Sequence, residues 1–220
     1  MQVVVNAAMS ADGKLSSRER EQIAISGPRD FDRVDALRAD SDAVMVGVGT
    51  VLADDPSLTV DSERRRAERQ ARGDPADPAR VVADSKLRTP PDAGVLSGAA
   101  ETVLLAGADA PAERATRLET AGATVVRTGA EQTDLSAGLD ALEDRGFDQV
   151  MVEGGGELIY SLFAAALVDR LSVYVGSLVI GGRDAPTLAD GDGFRSDFPE
   201  LRLDGVDQVD DGVLLEYTVE

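Results

Sequence analysis

Apolar positions along this chain fall into short continuous runs, separated by stretches in which they recur every three or four residues. Val3 to Val5, Ala43 to Val48, Arg80 to Ala83, Thr102 to Ala106, Thr124 to Arg127 and Gln149 to Val152 have strand length. The most continuous of them read as strands covered on both faces. Arg170 to Val175 and Val213 to Val219 close the sheet. Between these lie helical patterns. One opens at Ser26-Gly27-Pro28, with Ser26 as its cap and Phe31, Val34, Leu37 and Arg38 at helical spacing. A short one covers Gly49 to Leu52, and others run over Pro111–Ala121, Leu135–Arg145 and from Gly156 through Ala166. Ser10 to Lys14 is turn chemistry around Asp12-Gly13. Asp61 to Pro78, charged and Arg-rich, reads as a mobile surface loop. Strand and helix alternate over the whole length, which predicts one α/β domain over residues 1–220 with a mostly parallel central sheet.

Two strand-to-helix junctions carry candidate chemistry. In Glu153-Gly154-Gly155-Gly156-Glu157-Leu158 three glycines let backbone amides approach a ligand, and the helix start adds partial positive charge suited to phosphate. A tight turn without a ligand fits those residues equally well. The Rossmann spacing of glycines is not there. Gly47-Val48-Gly49-Thr50 is the second junction, where Thr50 either meets a cofactor phosphate or sugar or merely caps a connection. Asp54-Asp55-Pro56 offers paired carboxylates for proton transfer or, as such triplets commonly do, a turn. Asp12 has the same two readings. Arg38 is either a forked phosphate donor or a solvated helix arginine.

Composition narrows the field. With 43% apolar residues the chain is globular, and no apolar run reaches the roughly 18 residues that cross a bilayer. The first residues lack the pattern of a secretory signal, so a cytoplasmic protein is expected. Zero Cys and zero His remove disulfides and the commonest metal ligands, and no metal is expected. Asp plus Glu number 41 against 22 Lys plus Arg, a net charge of -19, and only Lys14 and Lys86 are lysine. Such a surface suits a halophilic setting, where salt screens the self-repulsion, and it repels nucleic acid.

In combination these segments resemble the riboflavin-pathway reductases. The resemblance runs through Ser10-Ala11-Asp12-Gly13-Lys14-Leu15, Arg38, Asp42 to Gly47, Gly49 to Val60, Arg80 to Ser85, Val152 to Leu158, Leu167 to Leu171 and Leu178 to Gly182, in order. It implies a dihydrofolate-reductase-like, three-layer α/β/α fold. It also implies NADPH-dependent reduction of the ribose of 2,5-diamino-6-ribosylamino-4(3H)-pyrimidinone 5′-phosphate, with NADH as a further cofactor option. Thr50, Asp54, Ser85 and Gly154-Gly155-Gly156-Glu157 would contact the cofactor, with Ala8 and Ala24 lining its site. Gln22, Arg38, Leu58 and Glu153 would face the substrate. Asp54 is the candidate proton donor, with solvent as the alternative.

The resemblance further implies a homodimer, with the apolar Leu158–Val179 region as its candidate interface. It places deamination in another protein, because a zinc deaminase needs His and Cys. One departure stands out: bacterial members often carry Arg directly after Leu-Thr-Val, where this chain has Asp61. Arg64, Arg65 or Arg66 either restores that charge or belongs to a solvated loop. A folate or pterin reductase on the same scaffold and a non-catalytic nucleotide-binding module are the alternatives.

Overall fold

Nine strands and six α-helices make up the computed structural model, which describes residues 1–220. In chain order they are β1 (Gln2–Ser10), α1 (Pro28–Asp40), β2 (Ala43–Gly47), α2 (Val48–Asp54), α3 (Glu63–Ala71), β3 (Ala79–Ala83), β4 (Thr102–Ala106), α4 (Ala112–Thr120), β5 (Ala123–Arg127), α5 (Leu135–Glu143), β6 (Gln149–Gly154), α6 (Gly156–Ala164), β7 (Arg170–Gly176), β8 (Leu201–Val209) and β9 (Gly212–Val219). The strand order is β5-β4-β3-β2-β6-β1-β7-β9-β8. The chain divides into two compact units, residues 35–151 with Met1, and residues 2–34 with 152–220.

In the first unit, β2, β3, β4 and β5 pair in parallel, and the entry of β2 is tied to β6 where the Asp42 amide donates to the Gln149 carbonyl (3.0 Å). The runs read as strands covered on both faces are so: on one face Val44, Val46, Val82 and Leu104 are buried together with Val48 and Val51 of α2 and Leu118 of α4, and on the other Met45, Val81, Val103 and Leu105 are buried too. Each side chain of this size contributes about 1.5–3 kcal/mol on burial.

Residues 61–78 are not the expected loop. Ser62 caps α3, its side chain accepting from the Arg65 amide. The reason lies in the arginines that hid the helix from a reading of apolar spacing. Arg69 is buried and donates to the carbonyls of Pro75, Ala39 and Ser41 at 2.9, 2.7 and 2.8 Å. A guanidinium that satisfies three carbonyls takes the place of an apolar side chain on the buried stripe.

In the second unit, β1 and β7 are parallel, and β7-β9-β8 is antiparallel. The hairpin strand β8 has no counterpart among the expected elements, because its apolar residues Leu201, Leu203 and Val206 are exposed and alternate irregularly. Two expectations for α1 are corrected. Ser26 does not cap it: the Ser26 hydroxyl donates to Asp30 Oδ2 (2.5 Å), and Asp210 Oδ2 accepts from the Arg29 and Asp30 amides (2.9 and 3.1 Å). Phe31 is 58% exposed, whereas Asp30 beside it is fully buried, because Asp30 pairs with Arg33 (2.7 Å). Within the Leu158–Val179 region, Leu158, Ile159, Leu162, Leu171, Val173 and Tyr174 are buried in the chain's own core, while Val179 is exposed.

Candidate functional site

In the first unit, Gly47 is the N-cap of α2 with no side chain on the first amides. Val48 and Val51 bury one face of this helix, which leaves Thr50 half-buried at its start and Asp54 exposed at its end, one turn on. Neighbouring protein still takes enough water from the Asp54 carboxyl to raise its pKa above the ordinary carboxylate value. Asp55 closes the helix in the left-handed region (φ 43°), and its Oδ1 accepts from the Gly94 amide (2.7 Å). The turn reading therefore fits Asp55, while the Asp54 side chain has no part in that turn. Leu58 is buried, also with positive φ (53°), and the next carbonyl, of Thr59, accepts from Arg38 Nη1 (2.9 Å). Arg38 thus braces the segment that carries Leu58.

Ser85 leaves β3 on the same side of the unit. Its hydroxyl donates to Gln132 Oε1 (3.1 Å) and accepts from the Thr133 amide (3.0 Å), which ties the ends of β3 and β5 together. The Ser85 carbonyl accepts from Gly107, just past β4 (3.1 Å). Three parallel strands therefore end around Ser85, the edge at which open α/β sheets collect ligands. Arg64 and Arg66 do not join this edge. Arg64 pairs with Glu68 (2.6 Å), Arg66 with Asp77 (3.1 Å) and Arg65 with the buried Asp35 (2.8 Å). All three guanidinium groups are committed to α3 and its supports.

In the second unit, β6 runs into α6 through Glu153, Gly154 and Gly155. Gly154 has φ 124°, a conformation that excludes L side chains, and it is buried, yet a Cβ there would meet nothing within 4 Å. Space therefore stands in front of buried backbone. Gly155, the N-cap of α6, provides no side-chain acceptor for the first-turn amides. Both features fit a phosphate-bearing cofactor. Gly156 is required for a different reason: a Cβ would lie 2.3 Å from the Thr187 carbonyl. Glu157 is exposed in the first turn of α6, Ala8 lies half-buried on β1 opposite Tyr174, and Gln22 and Ala24 are exposed in the connection to α1.

Asp12 is structural. Its Oδ1 accepts from the Ser10 hydroxyl and the Ile180 amide, and its Oδ2 from the Gly181 amide. The Ser10 bond, then the Ile180 bond, lower its pKa from 3.8 to about 2.

Comparison with known proteins decides the family. A family profile described as the RibD C-terminal domain matches residues 1–215. The chain belongs to this family. The 2,5-diamino-6-ribosylamino-4(3H)-pyrimidinone 5′-phosphate reductase of Archaeoglobus fulgidus is 44% identical over 210 residues, covering 96% of this chain and 94% of that one. The protein of the same name from Methanothermobacter thermautotrophicus is 42% identical, covering 99% and 98%. Among solved structures, a pyrimidine reductase-like protein from Corynebacterium diphtheriae superposes with a TM-score of 0.84 at 19% identity, over 100% of this chain and 92% of that one. That likeness carries the RibD C-terminal domain fold, with the mostly parallel α/β sheet that the alternation of elements predicts. No helix of this chain is long and apolar enough to cross a membrane.

Proposed function

We propose that this chain is an NADPH-dependent reductase that converts the ribose of 2,5-diamino-6-ribosylamino-4(3H)-pyrimidinone 5′-phosphate to a ribityl chain in riboflavin biosynthesis. The observation that carries this reading is full-length similarity to two reductases of that name at 44% and 42% identity. Residues 1–220 act in it as one reductase domain, and the setting is cytoplasmic and of high salt.

Bound NADPH would supply the hydride that reduces C1′ of the ring-opened imine form of the substrate, and a proton would complete the amine. The chain's part is to bind both phosphorylated molecules, orient them and exclude water. Thr50, Asp54, Ser85 and the Gly154-Gly155-Gly156-Glu157 turn hold the cofactor, with Ala8 and Ala24 against it. Gln22, Arg38, Leu58 and Glu153 face the substrate, and Asp54 delivers the proton. The uncapped first turn of α6 gives phosphate oxygens free amide donors. The chain works as a homodimer, with the Leu158–Val179 region, where Val179 is exposed, as the candidate interface.

Incubation with NADPH and the pyrimidine ribosylamine phosphate tests the reading. The expected result is loss of the reduced-nicotinamide absorbance and a product heavier by two hydrogens. Unchanged substrate mass in the presence of both compounds overturns it.

A further inference from the structure

Residues 21–25, between β1 and α1, lie outside helix and strand, yet their burial alternates. Gln22 and Ala24 are exposed, Ile23 is half-buried and Ile25 is buried. A period of two puts successive side chains on opposite sides of the chain. The two isoleucines therefore face the protein, and the two residues assigned to ligands face away from it. The isoleucines dock on a small apolar cluster of their own. Ile25 is buried with Tyr174, Val209 and Leu214, and Ile23 packs against that group together with Ala8, Leu178 and Ile180.

The floor of this cluster is built from β7 and the β8–β9 turn. Tyr174 on β7 is fully buried, and its hydroxyl donates to Asp211 Oδ1 (3.3 Å). Gly212 leaves that hydroxyl room, since a Cβ there would lie 2.5 Å from it. Gly176 lets the segment come close: a Cβ would lie 2.7 Å from the Ile25 carbonyl and 2.8 Å from Ile25 Cγ2. Ala8, opposite Tyr174 in the β1–β7 pairing, joins the same group. The β8–β9 turn thus reaches Gln22 and Ala24 through Tyr174 and the two isoleucines.

We propose that Ile23 and Ile25 are positioning residues that set Gln22 against the substrate and Ala24 against the cofactor at once, so that one apolar anchor governs the binding of both ligands. The inference rests on the function proposed above. A segment outside helix and sheet keeps one conformation only while its apolar side chains stay buried, because ordering each residue costs conformational entropy. Shortening Ile23 weakens the anchor and leaves the chemistry of Gln22 and Ala24 intact. What changes is where they stand, and a small misplacement of a binding group is felt as lost affinity. Asp54 lies on α2, which contributes nothing to the cluster, so the proton step is untouched once both ligands saturate.

Ile23→Ala and Ile23→Val in the whole chain test the proposal against the wild type. Titration of reduced-nicotinamide fluorescence gives the Kd for NADPH, and steady-state kinetics gives kcat and the KM for the pyrimidine ribosylamine phosphate. Trypsin reports the segment itself, through cleavage after the exposed Arg18 and Arg20. Ile23→Ala is expected to raise that Kd and that KM together, each by about tenfold, with kcat within about twofold of wild type. Cleavage should be faster, at a Tm no more than about 5 °C lower. Ile23→Val keeps most of the buried surface and should stay within about twofold of wild type in every constant. Wild-type values of both constants in Ile23→Ala overturn the proposal, as does a rise in only one of them, or a fall in kcat that saturation does not restore. If Ile23→Ala melts further below wild type, Ile23→Thr, which keeps the β-branched shape, takes its place. A wild type that binds NADPH and turns nothing over sinks the proposed reaction, and the Kd and cleavage comparison still decides this inference. Turnover with unmoved constants sinks this inference alone.

Discussion

Arg65 of α3 donates to the carboxylate of Asp35 on α1 over 2.8 Å, with 12% and 9% of the two side chains exposed. The same carboxylate accepts from the Asp61 and Ser62 amides, so one buried anion holds the entry of α3 by both backbone and side chain. Removing one partner of a buried pair leaves an uncompensated charge. Arg65→Ala should therefore cost about 3 kcal/mol, a fall in Tm of about 6–12 °C. Arg64→Ala, at an exposed pair with Glu68, should move it by less than about 2 °C. Thermal unfolding of the two variants checks this, and equal shifts would contradict the pairing.

That pairing also explains where the sequence was legible. Val44, Val82, Leu104 and Met151 sit in short apolar runs whose burial is written in their own chemistry, so the parallel sheet followed from pattern alone. The helix over Glu63–Ala71 did not, because Arg65 and Arg69 are interior only by virtue of acceptors supplied from Asp35, Ala39 and Ser41. A reading of apolar spacing cannot see a partner about 30 residues away. The need for glycine after β6 was legible, since Gly154 adopts a positive φ.

Asp210, in the turn from β8 to β9, closes α1 from the far end of the chain. Its Oδ2 accepts from the Arg29 and Asp30 amides, and a Cβ on Gly27 would lie 2.5 Å from that oxygen. Loss of such a cap costs about 1 kcal/mol. Gly27→Ala and Asp210→Ala should each destabilise by at least that amount. The double variant should lose less than the sum, because both changes break one contact. Full additivity in a urea-unfolding cycle would show that Gly27 serves something else.

Asp12 ties the turn after β1 to the Ile180-Gly181 backbone, and those bonds hold its pKa at about 2 instead of 3.8. A folded value below the unfolded one stabilises the protein above the unfolded value, and the gain is lost as pH falls toward the folded value. The urea midpoint of Asp12→Asn should thus lie below wild type at neutral pH, and the gap should close between about pH 4 and pH 2. A gap that is constant with pH would mean that the carboxylate charge is irrelevant there.

Both ligands of the proposed reaction are polyanions, and the chain carries a net charge of -19. Unscreened, that charge repels them, and the screening length falls from about 10 Å at 0.1 M salt to about 3 Å at 1 M. The KM for NADPH should therefore rise as potassium chloride is removed, the reverse of ordinary phosphate binding. Steady-state kinetics across a salt series measures this. A KM that falls on dilution of the salt would contradict this.

Asp54 is the one carboxyl of the α2 edge whose pKa burial raises. A raised pKa keeps the acid form present at higher pH than an ordinary carboxyl allows, and the acid form is the one that can give a proton to the amine nitrogen. If Asp54 delivers that proton, kcat should be high on the acid side and fall as pH rises through the raised value. Asp54→Asn keeps the shape of the side chain and cannot release a proton, so it should lower kcat by about 10²–10⁴-fold and flatten the falling limb. The pH profile separates this role from cofactor contact, because a residue that only touches NADPH would change KM and leave the limb in place. A limb that persists in Asp54→Asn would assign the proton to solvent.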